Sequence, residues 1–131
     1  LTRFIFDYCG NAFPVSGAGT VDSDSHGLDQ WIQDIEAFGQ RPHVTCKISG
    51  IVARVSDPWT ADDLAPTINH CLDVFDSERV IAASDWPVCT LAGSYSQVYD
   101  ALSPALGELA EEARAGILGV NAKGFYSLPD S

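Results

Sequence analysis

Residues 79–87 read RVIAASDWP, a short apolar run that ends in Asp85 and is stopped by Trp86 and Pro87. An uninterrupted apolar run of this length is typical of a strand buried on both faces, as in a parallel sheet. Two earlier segments have the same character, RFIFD at 3–7 and HVTCKI at 43–48. The sequence therefore predicts three strands, each followed by polar residues.

Helical patterns follow each of these strands. Gly39 is a plausible C-terminal cap for the first helix, and Thr60 with Asp63 resembles a capping box before the second. The third helix is expected to break near Pro104 and Gly107. Apolar residues at helical spacing mark 28–39, 64–75, 95–107 and 108–118, and a short packing segment ends the chain at 121–128.

The resulting order, βαβαβα with a helical tail, indicates an α/β fold with a parallel sheet and right-handed crossovers. In such folds, functional residues gather at the carboxyl ends of the strands. The strands recur about every 37–40 residues, a spacing that suits the units of a (β/α)₈ barrel. Three strands cannot close a barrel, so exposed sheet edges are expected in this chain alone.

Composition excludes several classes of function. The 131 residues carry a formal net charge of −11 from dispersed acidic groups, which favours a solvated surface. Nucleic acid would be repelled, because phosphate binding needs clustered Lys and Arg. No apolar run approaches the ~20 residues of a membrane span, and no basic leader precedes an apolar stretch. Export and membrane insertion therefore have no support.

The four cysteines, Cys9, Cys46, Cys71 and Cys89, form no CxxC pair and no metal-type cluster. Three of them lie within strand or helix patterns, where a free thiol behaves as a small hydrophobic group. A reduced, cytoplasmic setting is the simplest expectation. The chain has no methionine, even at position 1, so we expect a fragment from which an upstream segment is missing.

Asp85 is the strongest candidate for catalysis. A carboxylate at the end of a buried strand is partly desolvated, which suits a general base. An Asp at this position can equally hold the following turn through backbone amides. Position alone leaves the two interpretations about even.

Lys47 is unusual inside an apolar strand, because burial of an unpaired ammonium is costly. It could bind a substrate carboxylate, or form an ion pair with Asp7 or Asp85, and the pairing is slightly favoured. Asp7 and Tyr8 end the first strand, where Asp7 could act in an active site or hold the turn that follows. Ser49 follows the second strand and, with Gly50, is interpreted as a loop signal.

The three histidines are not arranged as a metal site. His43 opens a strand, at the end opposite the expected chemistry, and His70 lies in a helix. His26 falls in a strand-to-helix loop and could reach the active edge, but a surface or helix-terminal role is favoured. No phosphate-binding GxxxxGK[ST] motif exists.

Read together, the strand ends resemble a known family. DYCGN, CKISGIV, ASDWPVC followed by LAGSY, and the closing NAKGFYSL are similar to motifs of the amidohydrolase-2 group, which includes fuconolactonase-like and pyrone-dicarboxylate lactonase-like hydrolases. The similarity covers nearly all of 1–131, with the motifs in the family's order. It implies that the chain is the C-terminal segment of a (β/α)₈ barrel, with strands six, seven and eight, and that the N-terminal part is absent.

The resemblance also implies roles for individual residues. Asp85 matches the strand-eight aspartate, the general base that deprotonates the attacking water. Lys47 and Ser49 match the K-x-S-G motif that lines the substrate pocket. Trp86 would shape the pocket wall, and Arg54 would meet a substrate carboxylate.

Two departures from the family pattern bear on catalysis. The HxH pair of strand one is absent, and Tyr8 stands where the Asp-His-x-Gly motif has its histidine. Those histidines polarise the carbonyl, directly or through a divalent metal such as zinc in a complete family member. Tyr8 can donate a hydrogen bond but is a poor metal ligand, so we expect no cofactor in this chain and little activity from it alone.

Three functional hypotheses follow. The leading one is a hydrolase that uses Asp85 to direct water onto a lactone or ester of a small sugar acid or dicarboxylate. The alternative is a non-catalytic fragment or remnant of such an enzyme, which could self-associate through its sheet edges. A receiver-like signalling domain is disfavoured, because it needs five strands and an acidic pair near its phospho-accepting Asp. The expected partner is a small molecule, not a membrane or nucleic acid.

Overall fold

The sheet has three parallel strands, as the alternating pattern predicts. The computed structural model describes residues 2–10, 25–55 and 58–130. Strands β1 (Phe4–Phe6), β2 (Val44–Ile48) and β3 (Val80–Ala82) lie in the order β1-β2-β3. Phe6 pairs with Cys46 in one ladder, and Lys47 with Ile81 in the other. The predicted first strand is one residue too long at each end, because Asp7 begins a 3₁₀ turn that runs to Gly10.

Three helices connect or follow the strands: α1 (Ser25–Gly39), α2 (Ala61–Val74) and α3 (Tyr95–Gly107). The predicted capping box of α2 is confirmed, since the Thr60 amide donates to Asp63 Oδ2 at 2.7 Å. The predicted break at Pro104 is wrong, because α3 continues through it to Gly107. A proline this close to the end of a helix removes one backbone hydrogen bond, and the buried Leu102 and Leu106 hold the last turns against the core.

The start of α1 also differs from expectation. The predicted loop after the first strand falls mostly on residues 11–24, which lie outside the described part of the chain. Since α1 begins at Ser25, His26 is in the first helical turn, not in a loop. Its side chain lies outside the described residues.

Alternation along β2 separates a core face from a second face. Val44, Cys46 and Ile48 are buried, whereas Thr45 and Lys47 are partly exposed. Successive side chains of a strand point to opposite faces, so the core face packs on the helices and Lys47 belongs to the other face. Each fully buried Ile, Leu or Phe stabilises the fold by about 1.5–3 kcal/mol relative to an exposed one. The fully buried Ile68 and Leu64 of α2 belong to the same core, as does Phe75, the residue that follows this helix.

The tail is helical from Glu111 and differs from its predicted bounds. Helix α4 (Glu111–Ala115) passes through a π-helical turn (Gly116–Val120) into α5 (Asn121–Tyr126). The side-chain amide of Asn121 donates from Nδ2 to the backbone carbonyls of Ser77 and Val80 at 2.7 and 2.8 Å. The Arg3 guanidinium donates to the carbonyls of Gly124 and Phe125 at 3.2 and 3.0 Å. The tail is thereby tied to the starts of β1 and β3.

Strand β1 has one neighbour in the sheet of the described residues, so its other side is an open edge, as expected for three strands. Phe4 is 56% exposed there. An apolar cleft of about 290 Å³ lies beside this strand, where Phe6 and Phe38 stack with ring centroids 4.5 Å apart. No helix within the described ranges is long and apolar enough to cross a membrane.

Candidate active-site edge

Asp7 and Lys47 meet where β1 and β2 end. Lys47 Nζ lies 2.9 Å from Asp7 Oδ2. The other carboxylate oxygen, Oδ1, accepts hydrogen bonds from the Ser49 hydroxyl at 3.2 Å and from the Tyr8 amide at 2.9 Å. Asp7 therefore forms the ion pair and holds the turn at the same time, and the pairing of Lys47 is with Asp7.

The environment favours a charged Lys47. Partial burial by itself lowers the pKa of Lys47, but the hydrogen bond and charge of Asp7 outweigh it, with smaller contributions from Tyr126. The pKa of Lys47 is consequently raised from its ordinary value. A raised lysine pKa means that the pair stabilises the fold at neutral pH and ceases to do so once pH rises through that pKa.

Asp85 follows β3 in a left-handed backbone conformation, with φ of 60°. The backbone amides of the turn after it bond to groups other than the Asp85 carboxylate. The Trp86 amide donates to Ser84 Oγ at 3.1 Å, and the Cys89 amide donates to the backbone carbonyl of Asp85 at 3.0 Å. Among the described residues, no group donates a hydrogen bond to the Asp85 carboxylate. The side chain is therefore not used to hold the turn, which favours the chemical interpretation of Asp85 over the turn-capping one.

Gly50 allows Tyr8 and Asp85 to approach each other at this edge. From the sequence, Gly50 was interpreted only as a loop residue, and this role was not predicted. Its φ is +67°, and a Cβ there would lie 2.7 Å from Tyr8 Cδ1 and 3.4 Å from Asp85 Oδ2. The absence of a side chain thus lets the Tyr8 ring and the Asp85 carboxylate approach the same backbone. The signal available in the sequence was the glycine directly after the polar end of strand two.

Two further predicted pocket residues, Tyr8 and Trp86, lie at the same edge but are open to solvent. Tyr8 is 45% exposed and has a left-handed backbone, with φ of 56°. Trp86 is 66% exposed, so it does not wall a closed pocket among the described residues. Arg54 ends the 3₁₀ turn Ile51–Arg54, and its side chain lies outside the described residues.

The other two histidines are away from this edge, as predicted. His43 immediately precedes β2 and lines a cleft of about 390 Å³ at the starts of the strands, with Arg3 and Arg79. His70 lies in α2, its ring centroid 5.2 Å from that of Trp31. Neither histidine therefore lies at the carboxyl edge of the sheet.

Among the described residues, the acidic side chains of this edge are too few to bind a metal ion. Within the described ranges, no group of three or more His, Cys, Asp or Glu side chains could hold a metal ion. Asp7 already carries Lys47 and Ser49, which leaves the Asp85 carboxylate as the uncommitted acidic group of the edge. Since structural and catalytic zinc sites take three or four protein ligands, these residues do not form a zinc site by themselves.

The cysteines are buried and free, which agrees with their predicted role as small apolar groups. Cys9 lies beneath the edge, with its thiol 3.7 Å from the Lys47 carbonyl and its own carbonyl accepting from Trp31 Nε1 at 2.7 Å. Hydrogen bonds to Cys46 and Cys9, together with burial, raise the pKa of Cys71. The four cysteines are part of the hydrophobic core between the sheet and the helices.

In (β/α)₈ barrels the active site lies at the carboxyl ends of the parallel strands, which is the edge where Asp7, Lys47 and Asp85 lie in this chain. The family model described as amidohydrolase matches residues 2–128. The chain belongs to the amidohydrolase family.

Relatives in this family are similar over most of the chain. An L-fucono-1,5-lactonase of Burkholderia multivorans is 32% identical over 117 residues, which are 83% of this chain and 39% of that protein. An amidohydrolase structure from the same organism, with bound HEPES, superposes with a TM-score of 0.83 at 30% identity, covering 98% of this chain and 45% of its own. A second crystal form, with bound zinc, gives 0.78 at 28% identity over the same shares. The chain thus spans less than half of the relatives it matches.

Proposed function

We propose that this chain provides the part of a hydrolase active site that carries the general base, Asp85. The hydrolase opens lactones or related esters of small sugar acids or dicarboxylates. The carbon–oxygen bond forms when water attacks the carbonyl carbon, and Asp85 accepts the proton that the water loses. The acyl–oxygen bond of the lactone then breaks, and Asp85 returns the proton to the leaving oxygen. The product is the corresponding hydroxy acid.

One observation carries this proposal: Asp85 lies at the end of β3 with a carboxylate that receives no hydrogen bond from the described residues, beside a glycine that leaves it accessible. A general base needs a lone pair that is free to take a proton from water. The similarity to lactonases supports the choice of a lactone as the substrate class.

The residues around Asp85 suit a small anionic or polar substrate. We assign Lys47 and Ser49 to the pocket lining, because both lie at the same edge and both donate hydrogen bonds. Tyr8 and Trp86 supply exposed aromatic faces on which a sugar acid could pack. We assign Arg54 to a substrate carboxylate on the resemblance to the family alone.

We further propose that 1–131 is the C-terminal segment of a (β/α)₈ barrel, with β1, β2 and β3 as strands six, seven and eight.

The alternative function is a non-catalytic fragment or remnant of such an enzyme. The two-thirds exposure of Trp86 favours it, because an active site of this kind needs a second wall that excludes water.

A substrate panel separates the two functions. The purified chain is given aldono-1,5-lactones, a dicarboxylate lactone and an open-chain ester of the same acid, and acid release is followed with a pH indicator against spontaneous hydrolysis. The Asp73→Asn variant serves as a matched control, because Asp73 is an exposed carboxylate in the last turn of α2, which leads to the start of β3 at the opposite end of the sheet.

The hydrolase proposal predicts a small rate above the spontaneous one for at least one lactone, equal in the wild type and in Asp73→Asn. A rate at the spontaneous level for every substrate, from a chain whose circular dichroism shows that it is folded, would establish the fragment alternative.

A further inference from the structure

The turn that follows β1 holds Tyr8 in an unusual backbone conformation. Tyr8 and Cys9 are left-handed in succession, with φ of 56° and 46°, and Gly10 follows with φ of 64°. Non-glycine residues keep such conformations only where the surrounding structure enforces them, and strain of this kind concentrates at functional sites. The position of Tyr8 is therefore examined for a chemical role.

Contacts on both sides of Tyr8 enforce this turn. Before it, the Asp7 carboxylate accepts from the Tyr8 backbone amide at 2.9 Å and is itself paired with Lys47 at 2.9 Å. After it, Cys9 is fully buried, and its carbonyl accepts from Trp31 Nε1 at 2.7 Å. Breaking that buried hydrogen bond would leave the indole N–H without an acceptor, which is costly. The backbone of Tyr8 is thus fixed from both sides.

The Tyr8 ring lies beside the Asp85 carboxylate. Tyr8 Cε1 and Asp85 Oδ2 each lie 3.4 Å from the point that a Cβ of Gly50 would occupy. The phenol oxygen is attached one carbon beyond Cε1, so the hydroxyl belongs to the same part of the edge as the carboxylate. Among the described residues, no hydrogen bond engages the phenol oxygen, and Tyr8 is 45% exposed. The hydroxyl is therefore accessible to a bound molecule.

We infer that Tyr8 is a second catalytic residue of this edge, whose phenol donates a hydrogen bond to the carbonyl oxygen of the lactone while Asp85 accepts the proton of the attacking water. The inference deepens the proposed function and rests on it. As the water oxygen bonds to the carbonyl carbon, the π electrons of the carbonyl move to its oxygen, which becomes an oxyanion. A donor already placed at that oxygen stabilises the transition state.

The phenol keeps its own proton throughout the reaction. When the acyl–oxygen bond breaks, the electron pair of the oxyanion re-forms the carbonyl, and Asp85 gives its proton to the leaving oxygen. A hydrogen bond to an oxyanion is stronger than one to a neutral carbonyl. The Tyr8 hydroxyl therefore stabilises the transition state more than the bound lactone, which is the condition for accelerating the reaction.

The other donors of the edge are already engaged. Lys47 and Ser49 are directed at Asp7, at 2.9 and 3.2 Å. A phenol has one O–H donor, and that of Tyr8 can turn to a ligand without giving up a hydrogen bond to another described residue. This difference favours Tyr8 as the donor to the carbonyl and leaves Lys47 and Ser49 to line the pocket.

Two stable analogues represent the two states of the reaction. A six-membered cyclic phosphonate of the sugar acid has the tetrahedral centre and anionic oxygens of the attacked lactone, and the matching 1,5-lactam has the planar neutral carbonyl. Calorimetry gives their dissociation constants for the wild type, Tyr8→Phe, Asp85→Asn and Tyr126→Phe. Tyr126 is the matched control, because it is 47% exposed and ends α5, which Arg3 ties to the start of β1.

Tyr8→Phe is expected to weaken phosphonate binding by about 10- to 100-fold, because a hydrogen bond to a charged oxygen is lost, and lactam binding by less. Asp85→Asn should bind the phosphonate at least as tightly as the wild type does, since it removes a negative charge beside an anion. Tyr126→Phe should match the wild type. Effects of opposite sign at the edge separate a hydrogen-bond donor from a base.

A measurement on the wild type covers the case in which Tyr8→Phe does not fold. The tyrosines are labelled with ¹³C at Cζ, and the Tyr8 signal is assigned by the Overhauser contact between its ring and the α-protons of Gly50, which the ring adjoins. The phosphonate should move this signal downfield, and by more than the lactam does, because the phenol then donates to an anionic oxygen. The Tyr126 signal should stay in place.

Equal phosphonate affinities in the wild type and in folded Tyr8→Phe, or a Tyr8 signal that the phosphonate does not move, would overturn the inference. Both observations are of binding. The proposed function is read separately, from lactone hydrolysis and its dependence on Asp85, so a failure of one is distinguishable from a failure of the other.

Discussion

At the scale of single residues, the candidate edge depends on unusual backbone conformations. Tyr8, Cys9 and Asp85 all have positive φ, a region that non-glycine residues rarely adopt. Such conformations cost of order 1–3 kcal/mol each and persist where the surrounding structure enforces them. Gly50 has the same sign of φ, but without the steric cost. Strained residues concentrate where the candidate chemistry lies.

Gly50→Ala tests this arrangement. The new Cβ would meet the Tyr8 ring in a backbone conformation that alanine disfavours, so the free energy of unfolding should fall by about 1–3 kcal/mol. Urea denaturation at pH 7 measures it.

The control is Gly124→Ala, where a Cβ meets nothing within 4 Å in helix α5. That change should leave stability unchanged or raise it by up to about 1 kcal/mol, because alanine favours a helix. Equal effects of the two substitutions would contradict the role given to Gly50.

The partner of Lys47 shows what residue patterns can and cannot decide. The sequence placed Lys47, Asp7 and Asp85 at one edge, but left open which carboxylate pairs with the lysine. Register decides it: Phe6 is opposite Cys46, which brings Asp7 level with Lys47. Lys47 is opposite Ile81, so Asp85 follows four residues further along the chain, beyond the end of β3. Register between strands is a tertiary property that local pattern does not contain.

At the scale of elements, most strands and helices could be predicted, since apolar periodicity is a strong local signal. Boundaries were harder. Pro104 was expected to break α3, yet tertiary packing of Leu102 and Leu106 carries the helix past it. The capping box at Thr60 was found, whereas the equivalent one at Ser94 and Gln97 was overlooked although its sequence spacing is the same.

Ser94→Ala removes the cap of α3. The Gln97 amide donates to Ser94 Oγ at 3.2 Å, and the loss of that acceptor leaves an amide of the first turn unsatisfied. Stability should fall by about 1 kcal/mol, measured as the midpoint of urea denaturation. Ser96, two residues further along in the first turn of α3, is also exposed, and Ser96→Ala should change the midpoint by less. A midpoint unaffected by Ser94→Ala would show that the cap contributes nothing in this context.

At the scale of the whole molecule, β1 and β3 are the two edge strands of the sheet within the described residues. β1 presents unpaired backbone groups beside an exposed Phe4 and an apolar cleft. Exposed edges of this kind favour pairing with another strand. The sequence predicted the open edge from the number of strands, but the number of strands alone does not identify what covers it.

We expect the chain to self-associate through this edge as its concentration rises. Phe4→Lys should shift the population toward monomer, because an edge lysine opposes pairing and removes apolar surface. Light scattering after size exclusion measures the change. Leu128→Lys, at a similarly exposed apolar residue of the tail, should have no such effect, and an equal shift from both would indicate non-specific association.

The central claim is that Asp85 is the general base of a lactone hydrolase, and the most direct test is the rate of lactone hydrolysis by Asp85→Asn. The amide keeps the shape of the side chain but cannot accept the proton, so the rate above the spontaneous reaction should fall by about 10²–10⁴-fold. Asp73→Asn should keep the wild-type rate. A folded Asp85→Asn protein that hydrolyses the lactone as fast as the wild type would contradict the account.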